Sequence, residues 1–160
     1  MSSPEFNFSE LDEMYREIIL DHYRRPHNSQ PLAEYSVIAD GINPFCGDES
    51  HIQIALDGNG RVAQVGVQGR GCSISQSSGS LMSDLLKGKS VLEMEELVGF
   101  FRQMMQDKSI PKEAREKLQD ADILEGVRRF PIRIKCAMLA WVTLLDGLDA
   151  YKAQGSGSDA

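Results

Sequence analysis

The chain has 160 residues, the size of one ordinary domain, and 41% of them are hydrophobic, enough for a core that needs no disulfide staples. Its 17 basic and 24 acidic groups leave a net charge of −7, which argues against a nucleic-acid binder, and no apolar run approaches the roughly 20 residues of a membrane span. Three well-separated cysteines, an odd number, speak against a disulfide framework and for metal or thiolate chemistry in a reducing cytoplasm.

The segment from Met1 to Tyr15 is polar and acidic and does not read as a secretory signal. A first helix is expected from about Ser9 to Arg24. Ser9 and Asp12 form a capping-box pattern at its start, and Leu11, Met14, Tyr15, Ile18 and Ile19 recur at helical spacing. Pro26 stops it. Three short, largely alternating runs follow, Tyr35 to Asp40, His51 to Leu56 and Arg61 to Gln68. Asp57-Gly58-Asn59-Gly60 joins the last two as a hairpin turn. These predict a small three-stranded antiparallel sheet.

The remainder reads mostly as helix. One candidate runs from Ser73 to Leu86, and a second is capped by Ser90 and Glu93 and runs to about Gln106. A short charged one spans Pro111 to Leu118. Pro131 opens a long final helix to about Ala153, with Ile134, Met138, Trp141, Val142, Leu145 and Leu148 on its inner side. Strands first and helices after predict an α+β domain over residues 1–154, with helices on one face of the sheet. Residues 155–160, Gly-Ser-Gly-Ser-Asp-Ala, read as a flexible tail.

The cysteines fall on three structural edges. Cys46 lies in a turn between two strands, Cys72 at a strand-to-helix junction, and Cys136 near the start of the last helix. All three places can meet at one end of a small sheet. Three thiolates and one further donor make a tetrahedral zinc shell. Asp48 is the natural fourth donor, because Gly47 permits a tight return toward Cys46. Arg133 and Lys135 would ease the surplus negative charge and lower the thiol pKa values.

Plainer readings stand beside these. Cys136 on an apolar helix is also what a small buried hydrophobe looks like. Asp48 after a glycine is also what a turn residue looks like. Arg128, Arg129, Arg133 and Lys135 also fit a solvated basic face. His51 reads as an ordinary strand residue, and His22 and His27 as surface residues. Gly69 and Gly71 lack the spacing of a phosphate loop.

At these residues the chain resembles the IscU/NifU iron–sulfur cluster assembly family. The resemblance rests on Asn43-Pro44-Phe45-Cys46-Gly47-Asp48, on Gly69-Arg70-Gly71-Cys72-Ser73-Ile74-Ser75 and on Arg133-Ile134-Lys135-Cys136-Ala137. It covers nearly the whole chain, from Tyr15 to Trp141. Within the family the chain looks like the SufU branch. Lys135 stands where the scaffold branch has a histidine, and Phe130-Pro131-Ile132-Arg133-Ile134 replaces that branch's Leu-Pro-Pro-Val-Lys motif. The long interval from Cys72 to Cys136 leaves room for a helical insertion, with Lys108 to Glu125 the candidate.

The resemblance implies a zinc-dependent sulfurtransferase. It would accept sulfur from a SufS-type, PLP-dependent cysteine desulfurase and pass it on to a downstream iron–sulfur assembly scaffold. Cys46 would be the acceptor and a ligand, with Asp48, Cys72 and Cys136 the other ligands, and Arg133 would stabilise the anionic site or orient the partner. The alternative is a non-enzymatic scaffold in which the same residues hold iron or a [2Fe–2S] cluster.

Overall fold

The computed structural model describes residues 13–44 and 47–158, with side chains as far as Gln154. Helix α1 (Glu13–Arg24) leads into strands β1 (Val37–Asn43), β2 (Asp48–Leu56) and β3 (Val62–Arg70). Helices α2 (Ser73–Leu86), α3 (Val91–Met105) and α4 (Lys112–Leu118) follow, then a run of 3-10 turns over Gln119–Arg129 and the long α5 (Pro131–Ser158). The strands form one antiparallel sheet, as expected, and its order is β1-β2-β3. The expected cap at Ser9 and Asp12, the position of Leu11 and that of Cys46 lie outside the described residues.

The strands reach further toward the cysteines than their hydrophobic pattern indicates. Asn43 pairs with Asp48, and Glu49 with Arg70. These end residues are polar, so side-chain pattern does not mark them as strand; the backbone ladder continues regardless. At the other end of the sheet Asp57 accepts the Asn59 and Arg61 amides at 2.8 and 3.0 Å and closes the β2–β3 turn.

Helix α5 lies across β1 and β2, α2 packs on β3 and α5, and α1 packs on α2. All helical cover of the sheet is therefore on one face. Along β2, Asp48, Ser50, Ile52 and Ile54 point inward and are buried. Contact with α5 is close because small residues line it. A Cβ on Gly41 would fall 2.0 Å from the Thr143 hydroxyl oxygen, and one on Gly147 would fall 2.9 Å from the Ala39 Cβ.

This close contact turns α5 slightly from its expected setting. Ala137, Ala140, Leu144 and Leu148 are buried along with Trp141, whereas Val142, expected inside, is 38% exposed. Small residues, rather than the largest apolar ones, decide which stripe can approach the sheet. Trp141 stacks on Phe101 with ring centroids 4.0 Å apart, and its Nε1 donates to the Ser78 hydroxyl at 2.9 Å. The helix runs to Ser158, beyond the expected end near Ala153, so the backbone continues as helix into the expected tail.

Helix α2 has a polar-looking sequence, yet most of it is buried. Its serines are satisfied within the helix or by α5: Ser77 donates to the Ile74 carbonyl at 3.2 Å, Ser83 to that of Ser80 at 2.7 Å, and Ser78 to that of Ala137 at 2.6 Å. Small hydroxylated side chains let α1, β3 and α5 approach this helix together. Helix α3 starts at the expected capping box, with the Ser90 hydroxyl accepting the Glu93 amide and the Glu93 carboxylate accepting the Ser90 amide. No described helix is long and apolar enough to cross a membrane.

Candidate functional site

Asp48 is the first residue of β2, Cys72 the N-cap of α2 and Cys136 a residue of the second turn of α5. The antiparallel register places Asp48 at the end of the sheet from which β3 turns into α2. Cys136 brings the start of α5 to the same end. One ligand atom from each of the three lies within 4.8 Å of the other two. Asp48 and Cys136 are buried and Cys72 is half-buried. Cys46, in the connection between β1 and β2, lies outside the described residues.

The carboxylate is held in place. Asp48 Oδ1 accepts the backbone N–H of Cys72 at 2.9 Å, and its Oδ2 is 3.7 Å from Cys72 Sγ. Bonded to the N-cap amide of α2, the carboxylate also meets the positive end of that helix dipole. Gly71 makes the approach possible. Its φ is +141°, and a Cβ there would lie 1.9 Å from Asp48 Oδ1. The sequence marks Gly71 as the entry to α2; the room it leaves for the Asp48 carboxylate is visible only in the fold.

The Cys72 thiol is lowered from the usual range to about 6. A hydrogen bond from Cys136 is the main cause, and the Ser75 backbone amide adds to it. Burial and the Asp48 charge oppose the shift. Cys72 therefore gives up its proton more readily than a free thiol, as a metal ligand must. The Ser75 hydroxyl oxygen, 3.9 Å from Cys72 Sγ, donates to the Cys72 carbonyl at 3.1 Å.

Arg133 is half-buried one turn before Cys136, in the first turn of α5, and Lys135 is exposed. His51 is a strand residue, as expected. It bridges the outer face of the sheet, with Nδ1 2.6 Å from Asp40 Oδ1 and Nε2 3.1 Å from Glu49 Oε1. His27 is exposed, as expected, but His22 is not a surface residue: it is only 6% exposed. Ser80 supplies the hydrogen bond that makes this burial tolerable, at 2.7 Å from its Nδ1.

The donor set suits a borderline-soft dication. Two thiols and a carboxylate with short mutual separations match the sulfur and oxygen ligands of tetrahedral zinc, with room in the set for one more thiolate.

The model of the NifU-like N-terminal domain matches residues 14–102. Among curated proteins, the chain is 40% identical over 138 residues to the zinc-dependent sulfurtransferase SufU of Bacillus subtilis (strain 168), covering 86% of this chain and 91% of that one. It is 35% identical over 140 residues to the iron–sulfur cluster assembly scaffold protein IscU of Streptococcus pyogenes serotype M1, covering 88% and 86%. Among solved structures, a protein from Fervidobacterium islandicum AW-1 described as a SUF-system assembly scaffold superposes with a TM-score of 0.77 at 25% identity, over 89% of this chain and 99% of that one. A family match over more than half of the chain, with relatives of this identity along nearly all of it, establishes that the chain belongs to the NifU-like N-terminal domain family, the IscU/SufU group of iron–sulfur cluster assembly proteins.

Proposed function

We propose that this protein is a zinc-dependent sulfurtransferase that accepts persulfide sulfur from a SufS-type, PLP-dependent cysteine desulfurase and delivers it to a downstream iron–sulfur assembly scaffold. The observation that carries this reading is the convergence of Asp48, Cys72 and Cys136 at one end of the sheet. Its identity to a relative named as a zinc-dependent sulfurtransferase supports the choice within the family. Cys46 completes the ligand set. Zinc, when bound, keeps the thiols deprotonated and guards them against oxidation without redox chemistry of its own.

Cys46 is the acceptor. Its thiolate attacks the outer sulfur of the desulfurase persulfide. The bond between the two desulfurase sulfurs breaks, the desulfurase cysteine leaves as a thiolate and takes up a proton, and Cys46 carries the new persulfide. Asp48, Cys72 and Cys136 remain ligands. Arg133 offsets the anionic charge of the site and orients the partner.

The test is mass spectrometry of the protein after mixing with desulfurase and cysteine. The expected adduct has the mass of one extra sulfur atom and maps to the Cys46 peptide. Cys46→Ser should lose the adduct and the stimulation of desulfurase turnover, and its zinc content is measured in parallel. An adduct found only on Cys72 or Cys136 would make Cys46 a structural ligand.

The scaffold reading is favoured by relatives named as IscU scaffolds at 35% and 33% identity. Metal analysis of protein purified anaerobically separates the two. Stoichiometric zinc without visible colour supports the sulfurtransferase; iron, labile sulfide and a brown colour support the scaffold.

A further inference from the structure

A second group of metal-ligating side chains lies along α2, away from Asp48, Cys72 and Cys136. It joins the end of α1 and the loop that follows to the last turn of α2. His22, His27 and Asp84 each offer a ligand atom within 4.8 Å of those of the other two. The two imidazole rings are 4.3 Å apart between centroids and tilted by 40°.

The surroundings already orient these groups. Ser80 Oγ lies 2.7 Å from His22 Nδ1 and also accepts the His27 backbone N–H at 2.8 Å. This fixes the His22 ring through Nδ1 and leaves Nε2, an atom that solvent still reaches, as the nitrogen available to a ligand. Burial first, and then the neighbouring His27, lowers the His22 pKa from its ordinary value. Asn28 donates to Asp84 Oδ1 at 3.1 Å and to the Ser83 hydroxyl at 3.0 Å. The other carboxylate oxygen, Oδ2, is 2.6 Å from His27 Nδ1. Partners that hold a ligating imidazole and a carboxylate by their other atoms are what supports a metal site. The His27 and Asp84 side chains, 43% and 40% exposed, provide the entry path that a site needs.

We infer that His22, His27 and Asp84 form a second, independent site for a divalent transition ion of the zinc class. Two imidazoles and a carboxylate give a harder donor set than the thiolates, and the ion's remaining positions face solvent. Binding replaces the hydrogen bond between His27 Nδ1 and Asp84 Oδ2 with the ion, and the displaced ring proton is taken up at His27 Nε2. The ion then ties the end of α1 and its loop to the helix whose N-cap is Cys72. The site does not rest on the sulfurtransferase reading.

The test uses the full-length protein loaded with one equivalent of zinc and titrated with zinc chloride. A chromophoric zinc indicator reads stoichiometry, and side-chain NMR of the three histidines reads location. The expected result is a second bound equivalent, with His22 and His27 resonances shifting together and His51 unchanged. His27→Gln and Asp84→Asn, both at exposed positions, should weaken the second equivalent at least tenfold and retain the first. The inference is overturned if His22 and His27 do not shift. It is overturned equally if the second equivalent survives in both variants, or if His27 and His51 respond while His22 does not. The NMR readout holds whichever metal occupies the thiolate site.

Discussion

At Gly71 a single hydrogen atom decides whether the candidate metal site can form. With φ at +141° and a would-be Cβ 1.9 Å from Asp48 Oδ1, Gly71→Ala must either move the carboxylate or bend the β3–α2 junction. All four proposed ligands are unchanged in that variant. It should nevertheless bind zinc more weakly and lose about 1–3 kcal/mol of stability. Chelator competition and thermal unfolding measure the two effects. Asp48→Ala should also weaken zinc while keeping every thiol, and should leave the Cys72 amide without its acceptor. Unchanged zinc affinity in that variant would reduce Asp48 to a turn residue.

His51 predicts a pH dependence of the opposite kind to a buried histidine. Hydrogen bonds to Asp40 first and to Glu49 as well raise its pKa above the ordinary 6.5, and Arg70 faces the same Glu49. A raised pKa means that the folded state binds more protons than the unfolded state. The contribution is therefore fully present below 6.5 and fades as pH rises through the folded value. His51→Gln should cost most at pH 5.5–6, under about 1 kcal/mol because the pair is screened by solvent, and less at alkaline pH. Urea unfolding at a series of pH values gives this difference directly.

At the scale of elements, local chemistry explains what the sequence made readable. The bounds of α2 follow from the Gly71-Cys72 junction, and the start of α3 follows from Ser90 and Glu93. Ser90→Ala should cost about 1 kcal/mol in denaturant unfolding and leave zinc at the proposed thiolate site unchanged, because this cap lies at the other end of the sheet from Asp48 and Cys72. Contact chemistry explains what was not readable. Val142 reads as an inward residue by size, but Gly41 and Gly147 admit a different stripe of α5. His22 reads as a surface residue until Ser80, 58 positions away in sequence, is seen to satisfy it. Strand ends at Asn43, Asp48 and Arg70 have no hydrophobic signature, and only the ladder reveals them. Of the proposed ligand set, Asp48, Cys72 and Cys136 could be named from motif context; their mutual distance required the fold.

For the whole molecule, the proposed zinc and the core contribute separately to stability. The core runs from Ile19 through Ile52, Phe101 and Leu124 to Leu148, so most of it is independent of the proposed ligands. Removing zinc with a chelator should lower the thermal midpoint, because a ligand that binds only the folded state stabilises it by mass action. The metal-free protein should stay folded, with helical circular dichroism retained, unlike a zinc finger. A random-coil spectrum after chelation would show instead that the metal holds the fold.

The Phe101–Trp141 stack gives the molecule its own optical reporter. Trp141 is the only tryptophan in the chain, it is fully buried, and it belongs to the same helix as Cys136. Its indole touches α3 through the ring face and α2 through Nε1. Fluorescence excited at the indole band therefore comes from one place, where the three helices behind the sheet meet. Emission should sit at the short-wavelength end of the tryptophan range in the native protein and move to longer wavelength as these helices separate. Recorded beside the helical signal, it distinguishes loosening of the helix junction from loss of the helices themselves, with no label attached.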